Sequence, residues 1–115
     1  MSKRQDIDLI RDILECIKRI EMYTVNMNYG DFQKDLKTQD AVIRNLEILG
    51  EAAKSLSTIV KESHPEILWK QIAGTRDKLI HDYFGVNIDI VWGISKNDLP
   101  DLQNKIVKLL QELGL

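Results

Sequence analysis

Cysteine is nearly absent from this chain. Cys16 stands alone, so no disulfide framework can staple the fold, and a reducing cytoplasm is the expected setting. Histidine is almost as scarce. His64 and His81 lie 17 residues apart, and with one distant cysteine they supply no metal-ligand cluster. No metal and no cofactor is expected. No apolar run is long enough to span a bilayer and no signal peptide is present, so the chain reads as cytosolic, with no membrane partner. Positive charge is not in excess either: the net charge is −2 and the pI about 5.7. Proteins that coat nucleic acid non-specifically are basic, so extended binding to DNA or RNA is not expected, and only a confined cleft with local cations remains open. Phosphate-cradling glycine loops, a nucleophile elbow and a thiol–histidine pairing are also missing.

What is present suits a helical bundle. The 115 residues make a single domain, 1–115, and 43% hydrophobic with 30% charged residues exclude a disordered chain. Helical periodicity runs from Asp6 to about Met27, with Ile10, Ile13, Leu14, Ile17, Ile20 and Thr24 on one face. Cys16 at the edge of that face reads as a small buried residue. Asp31 is expected to cap a short helix through Leu36, with Tyr29 and Phe32 covering the end of the core. Residues 38–60 predict the longest helix, capped by Thr38. Val42, Leu46, Leu49, Ala53, Leu56 and Val60 form its seam, and Ile48, Ala52 and Ile59 a second apolar strip. Gly50 inside it suits close packing by a neighbour. Pro65 is expected at the first position of a short helix over 65–73, with Ile67, Leu68 and Ile72 inward, Trp69 beside them and His64 exposed before it. Asn87 should cap a helix from Ile88 to about Lys96. Pro100 should start the last helix, with Leu102, Ile106, Leu109 and Leu113 inward. Trp92 could stack on a base, but on so apolar a helix it reads as core or interface. The fold class is all-α, an antiparallel bundle of four to five helices.

Between Gly74 and Gly85 lies the segment with the most chemistry: Arg76-Asp77-Lys78-Leu79-Ile80-His81-Asp82-Tyr83. Thr75 reads as an N-cap and Gly85 as a C′ residue, giving a separate helix of two to three turns. Leu79, Ile80, Tyr83 and Phe84 share a face, and Arg76 falls in the middle of it. In the first turn, Arg76 would stand beside free backbone N–H groups that favour phosphate. His81 lies about 140° away around the helix, so the two need the reach of arginine or a second copy of the site. Lys70, Arg76 and Lys78 against Asp77 make one locally positive patch. Acid–base chemistry by His81 with charge stabilisation by Arg76 suits RNA cleavage, because the 2′-hydroxyl is the substrate's own nucleophile. Glu51 and Asp77 are candidate supporting residues, Glu51 as an acid that orients Arg76 or His81.

The spacing Arg76-x4-His81-x-Tyr83 resembles the motif of the HEPN superfamily of small helical ribonucleases, in its HepT-like variant. Further blocks agree in order: Lys37 through Ala53, His64-Pro65-Glu66-Ile67, Trp69, Tyr83-Phe84-Gly85-Val86, Val91-Trp92 and Asn97-Asp98-Leu99-Pro100. The resemblance implies a HEPN-like bundle, metal-independent endoribonuclease activity carried by Arg76 and His81, and a homodimer whose motif copies meet in one cleft. It also implies a toxin–antitoxin pairing, in which a cognate nucleotidyltransferase silences the chain by adding AMP to Tyr83. Three classes stay open on the residues: a toxin-type endoribonuclease, a non-catalytic partner subunit of a minimal nucleotidyltransferase, and a dimeric scaffold.

Overall fold

Seven α-helices and one π-helical turn make up the described chain, in a computed structural model that describes residues 5–81 and 87–114 and, at Arg76, Lys78, Ile80 and His81, the backbone. No strand occurs among the described residues. Helix α1 spans Asp6–Thr24, α2 Tyr29–Lys34, α3 Leu36–Ser55, α4 Thr58–Ser63 and α5 Trp69–His81. Helix α6 spans Ile88–Gly93, the π turn Ile94–Asp98 and α7 Leu99–Glu112. Helix α3 packs on both α1 and α5, and α1 also packs on α7. The Ser57 N–H and hydroxyl, just past the end of α3, donate to the carboxylate of Asp6 at the start of α1, at 2.9 and 2.7 Å. That pairing makes α1 and α3 antiparallel. The Lys96 ammonium reaches the Thr24 carbonyl at 3.0 Å and joins the entry of α7 to the exit of α1. No described helix is long and apolar enough to cross a membrane.

The amphipathic stripes place the core as expected. Ile10, Ile13, Ile17 and Ile20 of α1 are buried, as are Val42, Leu46, Leu49, Ala53, Leu56 and Val60. Ile106 and Leu109 of α7 close the core from the far side, and Phe32 seals one end against Trp92 at 5.1 Å between ring centres. Trp92 is thus part of the core's edge, with Tyr29 against it and the Lys96 ammonium over its ring. The second strip of α3 is not buried as a unit: Ala52 is covered, whereas Ile59 is 77% exposed and Ile48 also meets solvent. Leu68 and Leu113 are likewise exposed rather than inward. Gly50 is buried within α3.

Helix boundaries depart from the sequence reading where distant or local polar groups compete. Helix α1 stops at Thr24, three residues early, because Val25 turns extended and Asn26 adopts a left-handed φ of 61°. Asn28, not Asp31, caps α2; Asp31 answers from the third position by accepting from the Asn28 N–H. Asp35, not Thr38, caps α3, accepting from both the Thr38 N–H and its hydroxyl. Those two donors hold the Asp35 carboxyl below its ordinary pKa. The expected helix over 38–60 divides at Leu56 because Asp6 takes the Ser57 N–H, and Ser57 then caps α4. Pro65 lies in a turn rather than at a helix start. His64 closes α4 and is mostly covered, its Nδ1 3.4 Å from Glu66 and 3.6 Å from Glu112, so it is not the exposed residue expected.

Candidate active site

Helix α5 does not break at Gly74. It runs through Gly74 and Thr75 as one element, and the Thr75 hydroxyl donates back to the Gln71 carbonyl at 3.0 Å instead of capping a new helix. Burial overrides the local punctuation: Trp69 and Leu79 are buried and Ile72 packs against the core. A glycine within a helix costs about 1 kcal/mol relative to alanine, less than burying a Trp and a Leu returns. Arg76 therefore sits seven residues past Trp69 rather than in the first turn. The free backbone N–H groups of a helix start are not available to it, and the anion site expected on that ground is absent.

A continuous α5 fixes the register of the motif. At 100° per residue, Arg76 lies on the side of the helix that carries Trp69, Ile72 and Leu79, while His81 shares the outer side with Lys70, Gly74 and Asp77. The offset of about 140° between Arg76 and His81 and a rise of roughly 7.5 Å follow from the same geometry. Tyr83, the expected AMP acceptor, falls outside the described residues. So do Asp82, Phe84 and Gly85, hence also the expected C′ glycine and part of the expected apolar face.

Of the supporting residues, Asp77 meets a cation from α3. Its carboxylate lies 3.9 Å from the Lys54 ammonium of α3, and both side chains are about half exposed. Glu51 is exposed on α3, one turn before Lys54, so the polar face of α3 borders the motif segment. Lys54 is the residue that sequence reading missed, since nothing local sets it apart on the polar face of α3. The only local signal was a basic residue one turn after Glu51; the approach to Asp77 is a tertiary fact. Lys61 lies nearby, donating to the Lys54 carbonyl at 3.1 Å. Cys16 takes no part: it is buried in α1, and burial pushes its thiol up to about 11. Among the described residues no group of three His, Cys, Asp or Glu side chains is placed to hold a metal ion.

Comparison with known proteins gives this motif helix a context. The family model described as "Ribonuclease HepT-like" matches residues 13–109. The "Probable ribonuclease HepT" of Thermococcus cleftensis is 49% identical over 107 residues, covering 93% of this chain and 97% of that protein. A "Putative RNase" of Methanocaldococcus jannaschii is 42% identical over 113 residues, covering 98% and 93%. The "mRNA nuclease HepT" of Shewanella oneidensis is 28% identical over 127 residues, covering 87% and 92%. No solved structure matches the chain. An all-α bundle of this size, matched along nearly its whole length, belongs to the HepT-like ribonuclease family of the HEPN superfamily.

Proposed function

We propose that the chain is a metal-independent endoribonuclease toxin in which His81 moves protons and Arg76 stabilises charge. The 2′-hydroxyl of RNA attacks the adjacent phosphorus, the 5′-oxygen leaves, and a 2′,3′-cyclic phosphate remains. His81 is the group that takes the proton from the 2′-hydroxyl or gives one to the departing oxygen. The guanidinium of Arg76 faces the dianionic phosphorane with a planar fork that never deprotonates. The observation that carries this reading is the single helix α5, which holds Arg76 and His81 at fixed register in a chain of this family. Cleavage should survive EDTA; His81→Ala should abolish it, and Arg76→Ala should reduce it by several orders of magnitude, both variants remaining folded. Cleavage that stops on chelation, or that His81→Ala leaves intact, refutes the mechanism.

The same reading includes a homodimer and a nucleotidyltransferase antitoxin. Exposed Ile48, Ile59, Leu68 and Val107 support a second copy, since so small a domain leaves little else to cover them. Sedimentation as a monomer at micromolar concentration removes the two-copy cleft. The partner enzyme would transfer AMP from ATP to the Tyr83 hydroxyl, with pyrophosphate leaving. Bulk and negative charge would then stand beside the motif. Intact mass after co-expression tests this: added AMP that persists in Tyr83→Phe places the modification elsewhere.

A further inference from the structure

The offset between Arg76 and His81 leaves an arc of α5 in which neither stands, and that arc is occupied. Asp77 follows Arg76 by about 100° and precedes His81 by about 40°, four residues and roughly 6 Å along the axis. The Lys54 ammonium meets α5 at Asp77. We infer that Lys54 is a phosphate-binding residue of the RNA site, supplying from α3 the positive charge that lies between Arg76 and His81. This rests on the ribonuclease reading above.

Three further observations favour it. The pair with Asp77 is long at 3.9 Å and half exposed on both sides, a contact that adds little to stability and can exchange one anion for another. The Lys61 ammonium lies 3.1 Å from the Lys54 backbone carbonyl, a second cation at the end of α3, and by register Lys70 lies on the outer stripe of α5 with Asp77 and His81. Between Lys70 and Asp77 the stripe is bare: a Cβ on Gly74 would meet nothing within 4 Å, so a sugar–phosphate backbone can lie close to the helix. Gln71, Ile72 and Thr75 border a separate groove of about 260 Å³ whose rim carries Asp98 and Asp101 and, among the described residues, one cation, Lys105, itself 3.0 Å from Asp101.

The test uses the full chain and a single-stranded 2′-O-methyl RNA, which lacks the nucleophile, so fluorescence anisotropy reads binding apart from cleavage. Lys54→Gln should weaken binding about five- to tenfold at 0.1 M salt and flatten the slope of log affinity against log salt by about 0.7, one phosphate's share. Lys54→Arg should restore both, and Lys105→Gln should change neither. Melting should be unaltered in each; Lys54→Met, which keeps the aliphatic stem, replaces Lys54→Gln if the latter melts early. Wild-type affinity and salt slope in the uncharged variants, with His81→Ala still abolishing cleavage, overturns the role of Lys54 and leaves the ribonuclease standing. A wild-type chain that neither binds nor cuts RNA overturns the reading beneath it.

Discussion

Replacing Gly74 by alanine separates two accounts of the motif segment by sign. If Gly74 ended one helix in a left-handed conformation and Thr75 capped the next, a Cβ would strain the backbone and Gly74→Ala would destabilise by roughly 1 kcal/mol. In the structure Gly74 is the sixth residue of a continuous α5, and an added Cβ meets nothing within 4 Å. The substitution then removes backbone freedom from the unfolded chain and gains helix propensity, about 0.8–1 kcal/mol in favour of the fold. For a domain of this length that raises the melting temperature by about 3–5 °C. Thermal unfolding followed by circular dichroism at 222 nm, repeated at several protein concentrations to hold association constant, reads the shift. Gly74→Pro is the complement: inside the helix it removes the N–H of residue 74 and costs about 3 kcal/mol or more. A lower melting temperature in Gly74→Ala refutes the continuous helix and restores the break.

Two further outcomes follow from polar groups already described. Asp35 has a folded pKa below its ordinary value because Thr38 donates to it twice, so its contribution is present above pH 4 and fades as pH falls through the folded pKa. The melting temperatures of the wild type and Asp35→Ala should therefore lie apart at pH 7 and converge on acidification, and a gap that widens below pH 4 contradicts the cap. Cys16, buried and with its thiol raised to about 11, should resist alkylation by iodoacetamide at pH 8 in the folded chain and react once urea unfolds it. Rapid labelling of the native protein would place the thiol at the surface.

Sequence periodicity made the bundle legible because a stripe such as Ile10-Ile13-Ile17-Ile20 can be buried in only one way on a helix. Boundaries were less legible, since they depend on partners far along the chain. Nothing near Ser57 announces that Asp6, 51 residues earlier, will take its N–H and split the long helix. Gly74-Thr75 shows the opposite failure: the local punctuation is real, and the burial of Trp69 and Leu79 overrides it. In the candidate site, Arg76 and His81 could be picked out by spacing and chemistry. Lys54 could not, because its place beside Asp77 exists only once α3 and α5 are packed. The exposure of Ile59 and Leu68 escaped the pattern for a related reason: hydrophobic type marks what can be buried, and geometry decides what is.

The π turn carries a consequence for how this chain can change over evolutionary time. Pro100 has no N–H to give the Lys96 carbonyl, and the backbone passes the gap with the Leu99 N–H bonded five residues back to Ile94. Helical geometry continues on both sides, so the turn acts as one extra residue spliced into a single rod from Ile88 to Glu112. Substitutions within it act locally, at the Lys96 contact with Thr24 or the Ser95 hydroxyl on Val91. Loss of one residue acts along the whole rod. It would rotate α7 by about 100° against α6 and turn Ile106 and Leu109 out of the core together. The segment can therefore drift in composition while its length is held, and an alignment of functional relatives should place its gaps elsewhere.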